Sequence, residues 1–132
     1  MEMRFVFPLP PTLTNSARGR SRHWRALKRE KDQYWQRLDL LLAARRLPQP
    51  PKKPIGRARA RVRYFLWNLM DESGAMARLK WIEDWLVTRG YLVDDRRANL
   101  RYEALPDQVI DRKNPRVELY LISEDDESPA GE

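Results

Sequence analysis

A chain of 132 residues carrying 26 Lys and Arg, 19 Asp and Glu and a net charge of +7 is large enough to bury one core. Without cysteine it can form neither a disulfide framework nor a zinc–thiolate site. No apolar run approaches bilayer length and no charged and apolar blocks resemble a secretory leader, so a cytoplasmic protein with no membrane partner is expected. Five acids, Glu124, Asp125, Asp126, Glu127 and Glu132, lie beyond residue 123, which leaves 26 basic residues against 14 acids, or +12, on residues 1–123. A body so basic attracts polyanions, nucleic acid first among them.

Met3-Arg4-Phe5-Val6-Phe7 reads as a short strand, closed by Pro8 and the Pro10-Pro11 pair. Thr12 to Arg22 is polar and irregular, a loop whose Arg18, Arg20 and Arg22 either are solvated or grip phosphates. A long helix is expected from about Arg22 to Arg46, with Trp24, Leu27, Tyr34, Trp35, Leu38, Leu41 and Leu42 in one apolar stripe. His23, with no second ligand type near it, reads as a capping or surface residue. Leu47 to Pro54 carries four prolines and ends the helix.

Arg57 to Trp67 then alternates strictly. Ala58, Ala60, Val62, Tyr64 and Leu66 share one face of a strand, and Arg57, Arg59, Arg61 and Arg63 the other. Four arginines about 6.6 Å apart, with no acid between them in the chain, suit a phosphodiester backbone.

A single helix is expected from Gly74 to Arg89, ended by Gly90 in a left-handed turn. Tyr91-Leu92-Val93, Leu100 to Ala104 and Arg116 to Ile122 read as strands, with Pro106 as a breaker. The expected fold is a compact α+β domain over residues 1–123, a mixed sheet with two main helices packed on it. Residues 124–132 are expected to form an acidic, disordered tail.

Carboxylates stand at both ends of the second helix: Asp71 and Glu72 before it, Asp94 and Asp95 after it. A strand-like return from Gly90 covers about 17 Å, enough to bring the second pair back toward the first. Oxygen ligands from Asp71, Asp94, Asp95 and Glu72 suit Mg2+, with Mn2+ as its substitute, and Lys80 would add fixed positive charge for phosphodiester hydrolysis. Each residue also has a plainer role. Asp71 and Glu72 favour a helix dipole, Asp94-Asp95 can form a turn, and Lys80 can pair with Asp84 four residues on.

Pro10-Pro11-Thr12-Leu13-Thr14-Asn15, then Asp71 leading into Arg78-Leu79-Lys80-Trp81, then Asp84-Trp85-Leu86 and Gly90-Tyr91-Leu92-Val93-Asp94-Asp95, resemble the RusA family of Holliday-junction resolvases. The resemblance runs from Phe5 to Ile122. It implies a homodimeric, magnesium-dependent endodeoxyribonuclease of phage or prophage type that nicks four-way DNA junctions, with Asp71, Lys80 and Asp95 as catalytic positions and Asp94 and Glu72 as helpers. The family enters its helix through Asp-x-Asp-Asn. Here Ser73 stands where the second aspartate is expected and Gly74 where asparagine is expected. One negative ligand is missing, so a junction-binding protein that has lost cleavage is the alternative; an RNA-binding accessory protein is a third reading.

Overall fold

A computed structural model of the chain describes residues 1–11 and 23–125. Its elements are β1 (Glu2–Phe7), α1 (His23–Ala43), β2 (Ala58–Leu66), α2 (Glu72–Ala77), α3 (Lys80–Thr88), β3 (Leu100–Tyr102), β4 (Asp107–Ile110) and β5 (Arg116–Ser123). The sheet runs β1-β5-β2-β3, with β4 also pairing β2. The β1–β5 and β5–β2 pairs are antiparallel, whereas β3 and β4 lie parallel to β2. This is the mixed α+β sheet expected from the sequence. No helix among the described residues is long and apolar enough to cross a membrane.

Alternation decides which face is buried. Ala60, Val62 and Tyr64 stand opposite Leu121, Leu119 and Val117, and all six are buried. Phe5 and Phe7 continue that face on β1. The helices cover it with aromatic contacts: Trp85 stacks on Tyr91 at 5.5 Å, Phe7 meets the Trp85 edge at 6.1 Å and Phe5 meets Tyr91 at 5.2 Å. The opposite face of the sheet is polar.

The two long helices meet row on row. Lys31, Trp35 and Asp39 of α1 face Trp81, Trp85 and Arg89, each set spaced by one turn. Trp35 Nε1 donates to Trp81 O at 3.1 Å, and Asp39 accepts Arg89 through two hydrogen bonds of 2.8 Å as well as Trp85 Nε1 at 2.9 Å.

Several expectations are corrected. The single helix from Gly74 is two helices, because at Arg78–Leu79 the ladder tightens: Leu79 N bonds Met76 O, three residues back. Arg78 anchors the break, its Nε donating to Pro10 O at 2.6 Å. Tyr91-Leu92-Val93 is no strand; Leu92 makes one isolated bridge to Ile55. The strand expected from Leu100 to Ala104 ends at Tyr102, before Pro106, and an unforeseen strand, β4, follows the proline. Trp24 is 66% exposed and stands outside the core stripe. Of the expected tail, Glu124 and Asp125 are docked, Asp125 accepting from the Gly56 and Arg57 amides at 2.8 Å and Glu124 contacting Arg101 at 3.1 Å, while residues 126–132 lie outside the described residues.

Helices α1 and α3 end alike. Arg46 N bonds Leu41 O and Arg45 N bonds Leu42 O, as Tyr91 N bonds Leu86 O and Gly90 N bonds Val87 O. Such an end needs one left-handed residue. In α3 it is Gly90, at φ 87°, and in α1 it is Arg45, at φ 59°. A Cβ at Gly90 would meet nothing within 4 Å, so its penalty is purely conformational. Gly90→Ala should therefore lower the unfolding free energy by about 1–2 kcal/mol and Arg45→Gly should raise it by about 1 kcal/mol, read from urea denaturation.

Candidate functional site

The approach to α2 is set by a side-chain clamp. Gln108 of β4 donates to Met70 O at 2.9 Å and accepts from Met70 N at 2.7 Å, continuing the ladder with an amide side chain. Asp71 follows in extended conformation and caps α2, its Oδ1 accepting from Gly74 N at 2.7 Å. Ser73 sits inside the first turn, its Oγ donating to the same oxygen at 3.4 Å. Glycine at 74 permits this closeness, since a Cβ there would lie 2.6 Å from Asp71 Oδ1. Asp71 and Glu72 are both exposed.

At the start of α3 the chemistry is denser. Lys80 Nζ is 2.9 Å from Asp95 Oδ2 and 3.2 Å from Asp84 Oδ1, and the other oxygen of Asp84 is 3.6 Å from Lys31 Nζ. The hydrogen bond from Lys80 holds the Asp95 carboxyl below the usual range, and the same bond raises Lys80. Glu83 joins this group from the buried side and accepts from the Tyr102 hydroxyl. Burial pushes its carboxyl above the ordinary value, and the negative charges of Asp95 and Asp84 push the same way. Asp94 turns aside: one oxygen accepts from Asp95 N at 2.7 Å, the other faces Arg96 Nε at 3.1 Å.

The structure thus brings Lys80 and Asp95 together, with Asp94 next in the chain, and joins to them Asp84 and the unanticipated Glu83. Asp71 is held instead at the N-terminus of α2, while Glu72 makes no hydrogen bond or ion pair among the described residues. No group of three or more histidine or carboxylate side chains among those residues is arranged to hold a metal ion. The donors expected to bind magnesium therefore do not fit it as placed: Asp71 serves an amide, Asp95 an ammonium, Asp94 an amide and a guanidinium. Glu83 could have been suspected from its position between Lys80 and Asp84, but its burial comes from β3, far along the chain.

The arginine ladder also looks different in three dimensions. The acids missing from β2 arrive from its neighbours: Arg61 lies 3.5 Å from Glu103 and 3.9 Å from Glu2, and Arg63 lies 3.5 Å from Asp107. Arg59 Nε approaches Glu103 to 3.1 Å without hydrogen-bond alignment. On the next strands Arg4 and Arg116 share Glu118, at 3.3 and 3.0 Å. Arg57 is exposed beyond the end of β2, and Arg18, Arg20 and Arg22 lie outside the described residues. No protein-family model and no curated protein matches the chain.

Asp95 titrates below its unfolded value, so its contribution is fully present above about pH 4 and is lost as the pH falls through its folded pKa. Asp39 behaves alike, through Arg89. Asp95→Asn should lower stability at pH 7 by about 0.5–1 kcal/mol, and should narrow the gap between stability at pH 7 and at pH 3. Urea denaturation at the two pH values measures both.

Proposed function

We propose that this chain is a branched-DNA-binding protein on a RusA-like scaffold, acting in the cytoplasm as a two-fold dimer on four-way junctions. The observation that carries the reading is the use of Asp71 as the cap of α2, with Ser73 beside it in place of a second carboxylate. Two departures from the family pattern act together here. Serine at 73 removes one negative oxygen, and glycine at 74 leaves room for the remaining carboxylate to fold onto the helix end. The net charge of +12 on residues 1–123 supports a polyanionic partner, and the approximate two-fold symmetry of a junction suits a C2 dimer.

A second reading is favoured by one contact. Lys80 and Asp95, two positions that the family resemblance implies as catalytic for a magnesium-dependent endodeoxyribonuclease, are 15 positions apart in sequence and meet at 2.9 Å. A labelled four-way junction separates the two. Binding that weakens steeply with salt and leaves the strands intact in Mg2+ or Mn2+ is the expected result. Metal-dependent nicking that disappears in Asp95→Asn would replace the binding reading with the nuclease one. In the double variant Ser73→Asp/Gly74→Asn a second carboxylate returns and a Cβ displaces Asp71 from its cap; nicking gained only in that variant would identify these two positions as the cause of the lost activity.

A further inference from the structure

The arginines of the outer sheet face and those of α1 differ in their partners. On the outer sheet face, each β2 arginine within the strand has an acid beside it: Glu103, just past β3, for Arg59 and Arg61, Glu2 of β1 also for Arg61, and Asp107 of β4 for Arg63. On α1 the situation is reversed. Arg25, Arg29 and Arg37, four and eight residues apart and all exposed, follow a ridge that winds about 120° around the helix over a rise of about 18 Å. None of the three makes an ion pair or side-chain hydrogen bond among the described residues. Of the acids of the helix, Asp32 is taken by Lys28 at 3.5 Å, Asp39 is taken by Arg89 at 2.8 Å, and the half-buried Glu30 lines a second, smaller groove together with Arg37 without an ion pair to it.

The ridge runs into a groove. Between the C-terminal half of α1, β1 and the start of β5 lies an open cavity of about 790 Å3 whose lining includes Arg37, Arg46 and Arg116 and no acidic side chain. Arg46, past the helix end, has no ion partner among the described residues, whereas Arg116 is held by Asp111 and Glu118. Leu40, 71% exposed, rises from the helix beside Arg37 and gives the groove an apolar lip. Exposed cations along a winding ridge, ending in a groove lined by no acidic side chain, are a template for a chain of phosphates.

We propose that the phosphodiester backbone of a DNA arm lies along this face of α1, contacting Arg25, Arg29 and Arg37 and entering the groove at Arg46, instead of crossing the β2 arginines. The inference rests on the DNA-binding reading above and assigns its contact surface. An arginine that already faces a carboxylate gains little net charge interaction from a phosphate, while an unpaired one releases a counterion in full.

The test is the salt dependence of DNA affinity, measured by fluorescence anisotropy on a labelled four-way junction and on a matched duplex, with far-UV circular dichroism confirming the fold of each variant. Each lost phosphate contact should flatten the slope of log affinity against log salt by about 0.9. Arg25→Gln/Arg29→Gln/Arg37→Gln should flatten it by about 2 to 3, and Arg46→Gln alone by about 1, on both DNAs. Arg59→Gln/Arg61→Gln/Arg63→Gln should change it by less than about 1. The reverse pattern, with the sheet variants flattening the slope and the helix variants leaving it intact, overturns the proposal while DNA binding stands. Equal wild-type affinity for junction and duplex, with the helix variants still flattening the slope, sustains the proposal and removes the junction preference. A wild-type protein with no salt-dependent affinity for either DNA overturns both.

Discussion

The ammonium of Lys80 fixes the geometry of the candidate site. It holds Asp95, in the loop after α3, against the first turn of the same helix at 2.9 Å and keeps Asp84 at 3.2 Å. Two carboxylates so close would repel each other without a cation between them. The lysine is therefore what allows the loop to return, and it gives that loop one resting position. Through Asp84 the same charge group reaches Lys31 on α1 at 3.6 Å, and Lys31 stands 4.7 Å over the Trp35 ring. Site and helix pair are thus one connected unit. A divalent cation seeking these oxygens would compete with an ammonium already in place.

Period decided most of what the sequence revealed. Strict alternation from Ala58 to Leu66 fixed β2 and its buried face, and the spacing of Tyr34 and Leu38 fixed the inward side of α1. Gly90 was legible as a helix end because only a left-handed residue closes that pair of hydrogen bonds cheaply. Arg45 was not, since an arginine there carries no such signal. The break at Arg78–Leu79 escaped for a similar reason: the apolar stripe continues through it in phase, and only the Arg78 contact with Pro10 shows where the ladder tightens. Strand β4 was hidden because Val109 and Ile110 lack a clean alternation and a proline stands at its entrance, yet its pairing with Phe65 and Leu66 draws it into the sheet.

The site was legible as composition and less so as geometry. Spacing suggested that Asp94 and Asp95 come back toward Asp71 and Glu72; Asp95 instead meets Lys80 at 2.9 Å, while Asp71 caps α2. Nothing in the chain showed that Asp71 would be absorbed by the α2 amides, because a cap and a ligand use the same residue type in the same place. The arginine ladder illustrates the converse difficulty. Read along β2, four cations appear unrelieved; read across the sheet, Glu2, Glu103 and Asp107 relieve three of them. Charge pairing between strands depends on register, and register is a property of the assembled sheet.

That distinction bears on how one basic surface can serve both stability and binding. An exposed ion pair adds little to stability, typically less than about 1 kcal/mol, yet it removes most of the local field that a polyanion would feel. The outer sheet face, laced with such pairs and with Arg61 over Tyr120 at 5.2 Å and Arg116 over Phe65 at 3.7 Å, is thereby made self-sufficient. The docked Glu124 and Asp125 extend this neutralisation to Arg101 and the Arg57 amide at the sheet's edge. Arg25, Arg29 and Arg37, on the solvent side of a long helix, have no ion partner among the described residues, as is also true of exposed loop residues such as Lys52, Lys53 and Arg97. A helix turns only about a third of its surface to the core, so the remainder can hold unpaired cations without disturbing any buried contact. In this fold the arginines within β2 are paired across the sheet, whereas Arg25, Arg29 and Arg37 of α1 have no such partner among the described residues.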